Sequence, residues 1–170
     1  MNTNKMLKSL GVPPLLYEWA IEEAPFTSGQ KVVDYCRDLD NVLKQGKSIC
    51  FNSTDSVLNS RLAVYVLQSA IIQGYLKVRY TTPEAIGDSK ADSWEGSDLF
   101  YELVHADLVV IDRIVFAILD GFREKSMFDL IEKRLLNKKS TLVSSADPIA
   151  SYLPERIITL FRYAEVKLIK

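Results

Sequence analysis

Hydrophobic residues follow two alternating periodicities along most of the chain. Apolar positions recur at helical spacing in five stretches, which predict helices over residues 30–45, 58–73, 97–105, 126–137 and 154–163. Short apolar runs lie between them and predict strands over residues 48–51, 76–81, 108–111, 141–144 and 165–169. Strands that alternate with helices imply right-handed βαβ crossovers. We therefore expect an α/β fold of three layers, built around a five-stranded parallel sheet.

The strand predicted over residues 108–111 is the clearest of the five. It is a continuous apolar run that closes on Asp112, a pattern typical of a strand buried on both faces of a parallel sheet. Gly46 follows the first predicted helix in the manner of a C-terminal cap. The polar residues between positions 83 and 93 favour a loop there.

The first 28 residues lack the regular pattern of the rest. The pair Pro13 and Pro14 precedes a short helix-like stretch, LLYEWAIEEA, which predicts a lead-in segment packed on the outside of an α/β core at residues 29–170. The sequence contains no internal repeat, linker or low-complexity segment. We therefore expect all 170 residues to form a single domain.

Composition excludes several classes of function. The formal net charge is −1, so no global positive field attracts nucleic acid or an anionic membrane, although a local basic patch is compatible with it. Cys36, Cys50 and the single histidine, His105, are too few and too far apart for a zinc site or a disulfide scaffold, and both cysteines are expected to be reduced core residues. No apolar run approaches the roughly 18–20 residues of a membrane span, so the cytoplasm is the expected location.

Five short segments occur in a characteristic order along the chain. They are LGVPPLLYEWAIEEAPF, VVDYCRDLDNVLKQGKSICF, ADLVVID, KSTLVSSADP and LPERIITLFR. Together they resemble the ATPase core of the DnaC/DnaI helicase loaders and the IstB-type transposition proteins, members of the AAA+ class. The resemblance covers most of the chain. It implies a P-loop NTPase core, for which we expect no separate lid domain.

The resemblance fails at the phosphate-binding loop. An active member has G-x-x-x-x-G-K-[ST] after the first strand, whose backbone N–H groups and lysine surround the phosphates. Here the aligned residues are Ser53, Thr54, Asp55, Ser56, Val57, Leu58, Asn59 and Ser60. Only Ser60 fits, because Asn59 replaces the lysine and Leu58 replaces the second glycine. Asp55 would add a negative charge facing a polyphosphate, a repulsion of about 4 kcal/mol at 4 Å and an effective dielectric constant near 20.

Two further motifs of the resembled family are altered. Asp112 stands where an acidic residue could help to hold Mg²⁺, but Arg113 follows it in place of the carboxylate that activates water. The sensor position falls on Ser145 or Ala146 instead of asparagine. Two interpretations of Asp112 remain open, a metal ligand or a carboxylate held by backbone N–H groups at a helix start. Thr54 and Ser60 are equally explained as helix-capping residues.

Three hypotheses about function follow from these observations. The first is a catalytically inactive AAA+-like protein without a cofactor, which binds a helicase loader, a replicative helicase or an initiator and forms homo- or hetero-oligomers. The second is a nucleotide-binding switch or weak ATPase that uses an open crevice lined by Thr54, Ser60 and Asp112. The third is a DNA-binding accessory factor. Its DNA contacts would be the basic end of the long helix, although basic residues there also complement the helix dipole. These residues are Lys133, Arg134, Lys138 and Lys139.

Overall fold

The chain folds into a parallel sheet covered by helices. A computed structural model describes residues 2–91, 99–145, 147, 151–163 and 167–169. The strands are β1 (Ile49–Asn52), β2 (Val78–Thr81), β3 (Leu108–Ile114), β4 (Ser140–Ser145) and β5 (Lys167–Ile169). The helices are α1 (Thr3–Ser9), α2 (Pro14–Tyr17), α3 (Phe26–Arg37), α4 (Leu39–Lys44), α5 (Ser56–Ile72), α6 (Pro83–Ala91), α7 (Leu99–His105), α8 (Gly121–Leu136) and α9 (Glu155–Tyr163). Short 3₁₀ turns lie at Ile21–Glu23 and Phe116–Ile118.

The strands lie in the order β2-β3-β4-β1-β5, and every strand pair is parallel. The prediction of an α/β fold with a parallel sheet is confirmed. Because neighbouring parallel strands point the same way, the carboxyl ends of β1, β3 and β4 meet at one edge. Ligands of open α/β folds bind at this edge.

Successive residues of each strand pack against opposite layers of helices. Phe51 and Val110 face a core formed with α1 to α5, whereas Cys50 and Val109 face a second core formed with α6 to α9. Residues 108–111 are all fully buried, as the apolar run predicts. The three-layer arrangement therefore follows from continuous apolar strands between two amphipathic helix layers.

The lead-in segment contributes to the first core. Leu7 in α1 is fully buried, and Val12 and Leu16 are almost fully buried. All three belong to the same hydrophobic cluster as the buried residues of α5. The predicted helix-like stretch after Pro14 is only partly helical, since it forms α2 and a separate 3₁₀ turn. Helix α1 was not predicted, because seven residues carry too little periodicity to be recognised.

Two further elements differ from the predictions. The prediction of a loop over residues 83–93 was wrong for residues 83–91, which form α6, with the buried Ile86 packed into the second core. Residues 92 and 93 lie outside the described residues. Thr82 supports the start of this helix, since its side-chain oxygen accepts a hydrogen bond from the Ala85 N–H at 3.4 Å. The single helix predicted over residues 30–45 is divided at Asp38 into α3 and α4.

Gly46 ends α4 as predicted. Its φ of +66° suits glycine, and a Cβ at this position would lie 2.3 Å from the carbonyl oxygen of Lys138, in the turn between α8 and β4. The glycine therefore allows two turns at the amino-terminal edge of the sheet to approach closely. In the described part of the chain, no helix combines the length and apolar character that a membrane span requires.

Candidate functional site

The segment that aligns with the phosphate-binding loop of the resembled family, residues 53–60, runs from the end of β1 into the start of α5 at the carboxyl edge of the sheet. Its centre is Asn59, which is 1% exposed. Asn59 Oδ1 accepts hydrogen bonds from the Ser53 N–H at 3.2 Å and the Ser53 hydroxyl at 2.8 Å. Asn59 Nδ2 donates to the carbonyl oxygens of Ser53 at 2.9 Å and Ser145 at 2.8 Å. The side chain at the lysine position thus closes the loop on itself and joins it to β4.

Asp55 occupies the amino terminus of α5. Its carboxylate accepts a hydrogen bond from the Leu58 N–H at 2.9 Å, which makes it the N-cap of the helix. The N-cap is therefore Asp55, and neither Thr54 nor Ser60 has this role. A helix amino terminus attracts phosphate because of its free N–H groups and its dipole. Here the Asp55 carboxylate already binds the Leu58 N–H and interacts with the positive end of the α5 dipole.

Asp112 lies at the centre of a buried cluster of hydroxyl groups. Its side chain is fully buried, and Oδ1 accepts hydrogen bonds from the hydroxyls of Ser60, at 2.6 Å, and Ser144. Oδ2 accepts a hydrogen bond from the Tyr80 hydroxyl at 2.6 Å. Of the two interpretations left open, the one with backbone N–H donors was wrong in its donors, because hydroxyls from α5, β4 and β2 hold the Asp112 carboxylate.

Tyr80 and Ser144 were not recognised in the sequence. Each stands near the carboxyl end of a strand beside β3, since Tyr80 pairs with Val110 and Ser144 follows Val143, the partner of Ile111. Burial, together with the negative charge of Asp112, raises the pKa of Tyr80, so that its hydroxyl stays protonated and donates. Polar residues at the ends of neighbouring predicted strands were the signal that could have identified them.

Arg113 sits where β3 departs from regular pairing with β4. Its φ is +58°, and the register shifts between Ile111 and Ile114. The guanidinium is largely exposed, with Nε 3.9 Å from Asp112 Oδ2. The Arg113 N–H donates to the Ser144 hydroxyl at 3.3 Å. The residue after Asp112 is therefore a positively charged arginine, which cannot act as a general base.

The predicted sensor position is occupied by Ser145 at the end of β4. Its hydroxyl is buried and lies within hydrogen-bonding distance of the carbonyl oxygens of Ile114, at 3.0 Å, and Asp147, at 3.2 Å, so its single proton can be shared between these two acceptors. The side chain is therefore engaged within the loop. Ala146, the alternative sensor position, lies outside the described residues.

A cavity of about 210 Å³ remains beside the altered loop. Its lining includes the exposed apolar residues Leu15 and Val57, together with Ser60 and Arg113. Cavities that hold small molecules usually measure about 300–1,000 Å³ and enclose most of the ligand. The nucleotide-switch hypothesis requires an open crevice lined by Thr54, Ser60 and Asp112. The cavity is smaller than this range, and Ser60 and Asp112 are both buried, so the structure gives little support to such a crevice.

The residues around Asp112 are a poor match for a bound Mg²⁺. In P-loop NTPases the loop Ser or Thr and the acidic residue at the strand end hold the ion, and Ser60 and Asp112 do lie together here. However, the carboxylate already accepts hydrogen bonds from three hydroxyls, and the Arg113 guanidinium lies 3.9 Å from it. Within the described ranges, no group of three His, Cys, Asp or Glu residues could hold a metal ion.

The predicted DNA-contact residues do not form one surface. Arg134 was wrongly included, because it is fully buried. Its guanidinium donates to Thr141 Oγ1 at 3.0 Å and to the carbonyl oxygens of Ala106, at 2.9 Å, and Ser140, at 2.6 Å. Further bonds reach the carbonyl oxygens of Leu103 and Val104 at the end of α7. Arg134 is thus a structural link between α8, α7 and β4.

The other three basic residues differ in their surroundings. Lys133 is exposed and its ammonium lies 5.3 Å from the centre of the Phe100 ring. Lys139 pairs with Asp107 at 3.0 Å, and Lys138 is exposed in the turn that precedes β4. Only Lys138 and Lys139 lie at the amino-terminal edge of the sheet, beside two adjoining cavities.

The fold is similar to those of a helicase loader and of replication initiators. The chain is similar to the crystal structure of the DnaC helicase loader, with a TM-score of 0.74 and 15% identity over 93% of this chain and 100% of that one. It is also similar to AMPPCP-bound DnaA from Aquifex aeolicus, with a TM-score of 0.65 and 15% identity over 93% of this chain and 52% of that one. A replication initiator DnaA bound to AMPPCP and single-stranded DNA gives a TM-score of 0.66 and 16% identity, over 93% and 51%.

At these identities the likeness concerns the fold, and the chain spans about half the length of the two DnaA structures. No protein-family model and no curated protein matches the sequence. The resemblance to a helicase-loader core inferred from the five sequence segments therefore agrees with the fold.

Proposed function

We propose that this protein is a catalytically inactive AAA+-like core that acts by binding another protein in DNA replication or mobile-element maintenance. The observation that carries the proposal is the Asn59 amide, which takes the place of the phosphate-binding lysine and bonds the loop to itself and to Ser145. No lysine charge is available in the loop. The Ser53 and Leu58 N–H groups already donate to side chains of the chain itself, so few donors are left for a phosphate.

The surface beside the loop favours a protein partner. Leu15 and Val57 expose 64% and 44% of their surface, next to the positively charged Arg113. The core of a protein interface is more apolar than its rim, and arginine is enriched in interfaces. The similarity to a helicase loader and to replication initiators suggests a helicase loader, a replicative helicase or an initiator as the partner.

Calorimetric titration with ATP and ADP in the presence of Mg²⁺ tests inactivity. We expect no heat of binding at up to millimolar nucleotide, because both the lysine and the open loop are absent. A double variant, Asn59→Lys with Leu58→Gly, is the matched comparison, and circular dichroism verifies that it folds. Micromolar binding by the unmodified protein, abolished by Ser60→Ala, would instead support a nucleotide-controlled switch.

Partner binding is tested with the purified loader, helicase and initiator of the same host. Val57 and Ile72 are both exposed on α5, at opposite ends of the helix. Val57→Glu should weaken association more than tenfold because it places a charge in the surface beside the loop, whereas Ile72→Glu should leave it unchanged. Equal binding by both variants, or no binding of any of the three partners, contradicts the proposal.

A further inference from the structure

The cavity of about 210 Å³ at the carboxyl edge has a size and a lining that suit one apolar side chain. An apolar cavity of about 150 Å³ holds a single benzene ring, so this one has room for a leucine or phenylalanine side chain. Its lining contains Leu15 and Val57, which are exposed, and Leu16, which is buried. The cavity therefore offers apolar contacts on a surface that a partner can reach.

The walls of this cavity are held in place by the first core. Leu16 belongs to the same hydrophobic cluster as the buried residues of α5, so α2 is fixed against the helix that carries Val57. Pro13 also lines the cavity, and the ring of a proline fixes its φ. The walls are thus formed before a partner arrives, which lowers the entropic cost of binding.

One positive charge borders the cavity. Among the described residues that line it, Arg113 is the only charged one, and 58% of the Arg113 side chain is exposed. Its φ of +58° lies in the left-handed region that arginine rarely adopts, at the irregularity between β3 and β4. Strained residues of this kind cluster at binding sites, where the surrounding structure holds them. The backbone therefore presents the guanidinium beside the apolar cavity.

This charge favours a carboxylate as its counterpart. A guanidinium binds a carboxylate through two parallel N–H···O bonds. Its contact with Asp112 Oδ2 is long, at 3.9 Å, and that oxygen already accepts a hydrogen bond from Tyr80. A polyphosphate would bring several negative charges to this single arginine, and Asp55, which directly precedes the lining residue Ser56, would repel them. The site therefore suits one carboxylate better than a chain of phosphates.

We propose that the cavity and Arg113 form a docking site for a segment of a partner protein that carries a large apolar residue beside an aspartate or glutamate. The apolar side chain fills the cavity while the carboxylate pairs with Arg113, so both groups must stand at neighbouring positions of the segment. This inference rests on the proposed function, because it specifies what the protein partner presents to the carboxyl edge. It adds a recognition rule that does not depend on which partner is bound.

The test is selection of a random peptide library, displayed on phage, against the immobilised full chain. We expect the enriched peptides to combine a leucine, isoleucine, phenylalanine or methionine with a neighbouring acidic residue. A labelled synthetic peptide of the enriched sequence is then titrated by fluorescence anisotropy. Arg113→Asn should weaken its binding about 5- to 30-fold, and Arg113→Lys, which keeps the charge but loses the two parallel bonds, should fall in between. Asparagine suits this position because it tolerates a positive φ.

The apolar half of the site has its own variant and control. Leu15→Ser should weaken peptide binding about 3- to 10-fold through lost apolar contact. Leu136→Ser, at a comparably exposed leucine at the end of α8, should leave binding unchanged. Circular dichroism verifies that each variant folds.

The outcomes separate this inference from the proposed function. No enriched peptide, enrichment without an acidic residue, or equal binding by Arg113→Asn and the unmodified protein overturns the docking site, even where a loader, helicase or initiator binds the chain. Peptide binding with the expected losses supports the docking site. If none of those three proteins then binds, the docking site stands and the proposed function is contradicted.

Discussion

Asn59 holds the loop between β1 and α5 closed, because its buried amide forms hydrogen bonds with groups at the ends of two strands. A side-chain amide has two acceptor positions on its oxygen and two donor hydrogens on its nitrogen. The Asn59 oxygen accepts hydrogen bonds from Ser53, and the Asn59 nitrogen donates to the carbonyl oxygens of Ser53 and Ser145. A lysine has no acceptor and could not hold the Ser53 N–H. The residue that aligns with the phosphate-binding lysine of the resembled family is therefore also the one whose hydrogen bonds close the loop.

Replacing this amide tests its structural role. Asn59→Ala should lower the free energy of unfolding by about 1–3 kcal/mol, because the Ser53 N–H and the Ser145 carbonyl lose their partner in a buried site. Chemical denaturation provides the measurement. The comparison is Ser56→Ala, an exposed residue of the same segment, which should change stability by no more than about 0.5 kcal/mol. Equal effects would show that the Asn59 bonds contribute little.

Arg134 provides the second prediction at this scale. Burial lowers its pKa to about 9, partly offset by Asp107, and the guanidinium remains charged at neutral pH while its donors reach five acceptors. Arg134→Met should destabilise the protein by roughly 2–4 kcal/mol, since several carbonyl oxygens lose a charged donor. Lys125→Met, exposed on the same helix, should stay within about 0.5 kcal/mol. A neutral Arg134→Met would contradict the structural role.

At the scale of elements, periodicity predicted the long helices and the buried strands because their apolar patterns are unambiguous. Helix α6 was missed because Gly87, Asp88 and Ser89 have low intrinsic helix propensity, and packing of its buried face against the second core compensates for this.

Arg134 could have been assigned correctly, since it follows Met127 and Ile131 on the buried face of α8 at helical spacing. The Tyr80 contact with Asp112 depends on strand order, which the pattern of one strand does not contain.

The lead-in segment allows a prediction about elements. If α1 is part of the core, Leu7→Ala should destabilise the whole protein by about 2–5 kcal/mol, as expected for truncation of a fully buried leucine. Lys8→Ala, the exposed neighbour on the same helix, is the control and should change stability by less than about 0.5 kcal/mol. Urea denaturation followed by circular dichroism measures both. A small effect of Leu7→Ala would mean that α1 packs loosely on a core that is stable without it.

At the scale of the whole molecule, the two edges of the sheet carry different chemistry. The carboxyl edge contains a buried carboxylate surrounded by hydroxyls and an apolar rim, whereas the amino edge has an excess of positive charge. The motif order in the sequence was sufficient to locate Asp112 and Ser60 at the first edge. The second edge was only partly predicted, through Lys138 and Lys139, because Lys77, Arg79 and Tyr101 approach these residues only in the folded chain.

The stability of the whole molecule should depend on pH in the alkaline range. Burial raises the pKa of Cys36 to about 11, partly offset by a hydrogen bond with Ser69, and raises that of Cys50 to about 12. In the unfolded chain these thiols ionise near pH 8.5–9. Above that pH the unfolded state releases protons that the folded state retains, so unfolding becomes more favourable as pH rises.

The two thiols should therefore lower the free energy of unfolding by roughly 2–3 kcal/mol between pH 8 and pH 10, about 1.4 kcal/mol per thiol and pH unit once the unfolded thiols ionise. Arg134, whose pKa is lowered to about 9 in the folded chain, contributes in the opposite sense above pH 9. Urea titrations at several pH values measure this slope. Cys36→Ala with Cys50→Ala lowers stability at every pH through lost packing, but its free energy of unfolding should no longer show the fall that the two thiols cause between pH 8 and pH 10. The buried tyrosines contribute mainly above pH 10. An unchanged slope in the double variant would assign the alkaline instability to groups other than the two thiols.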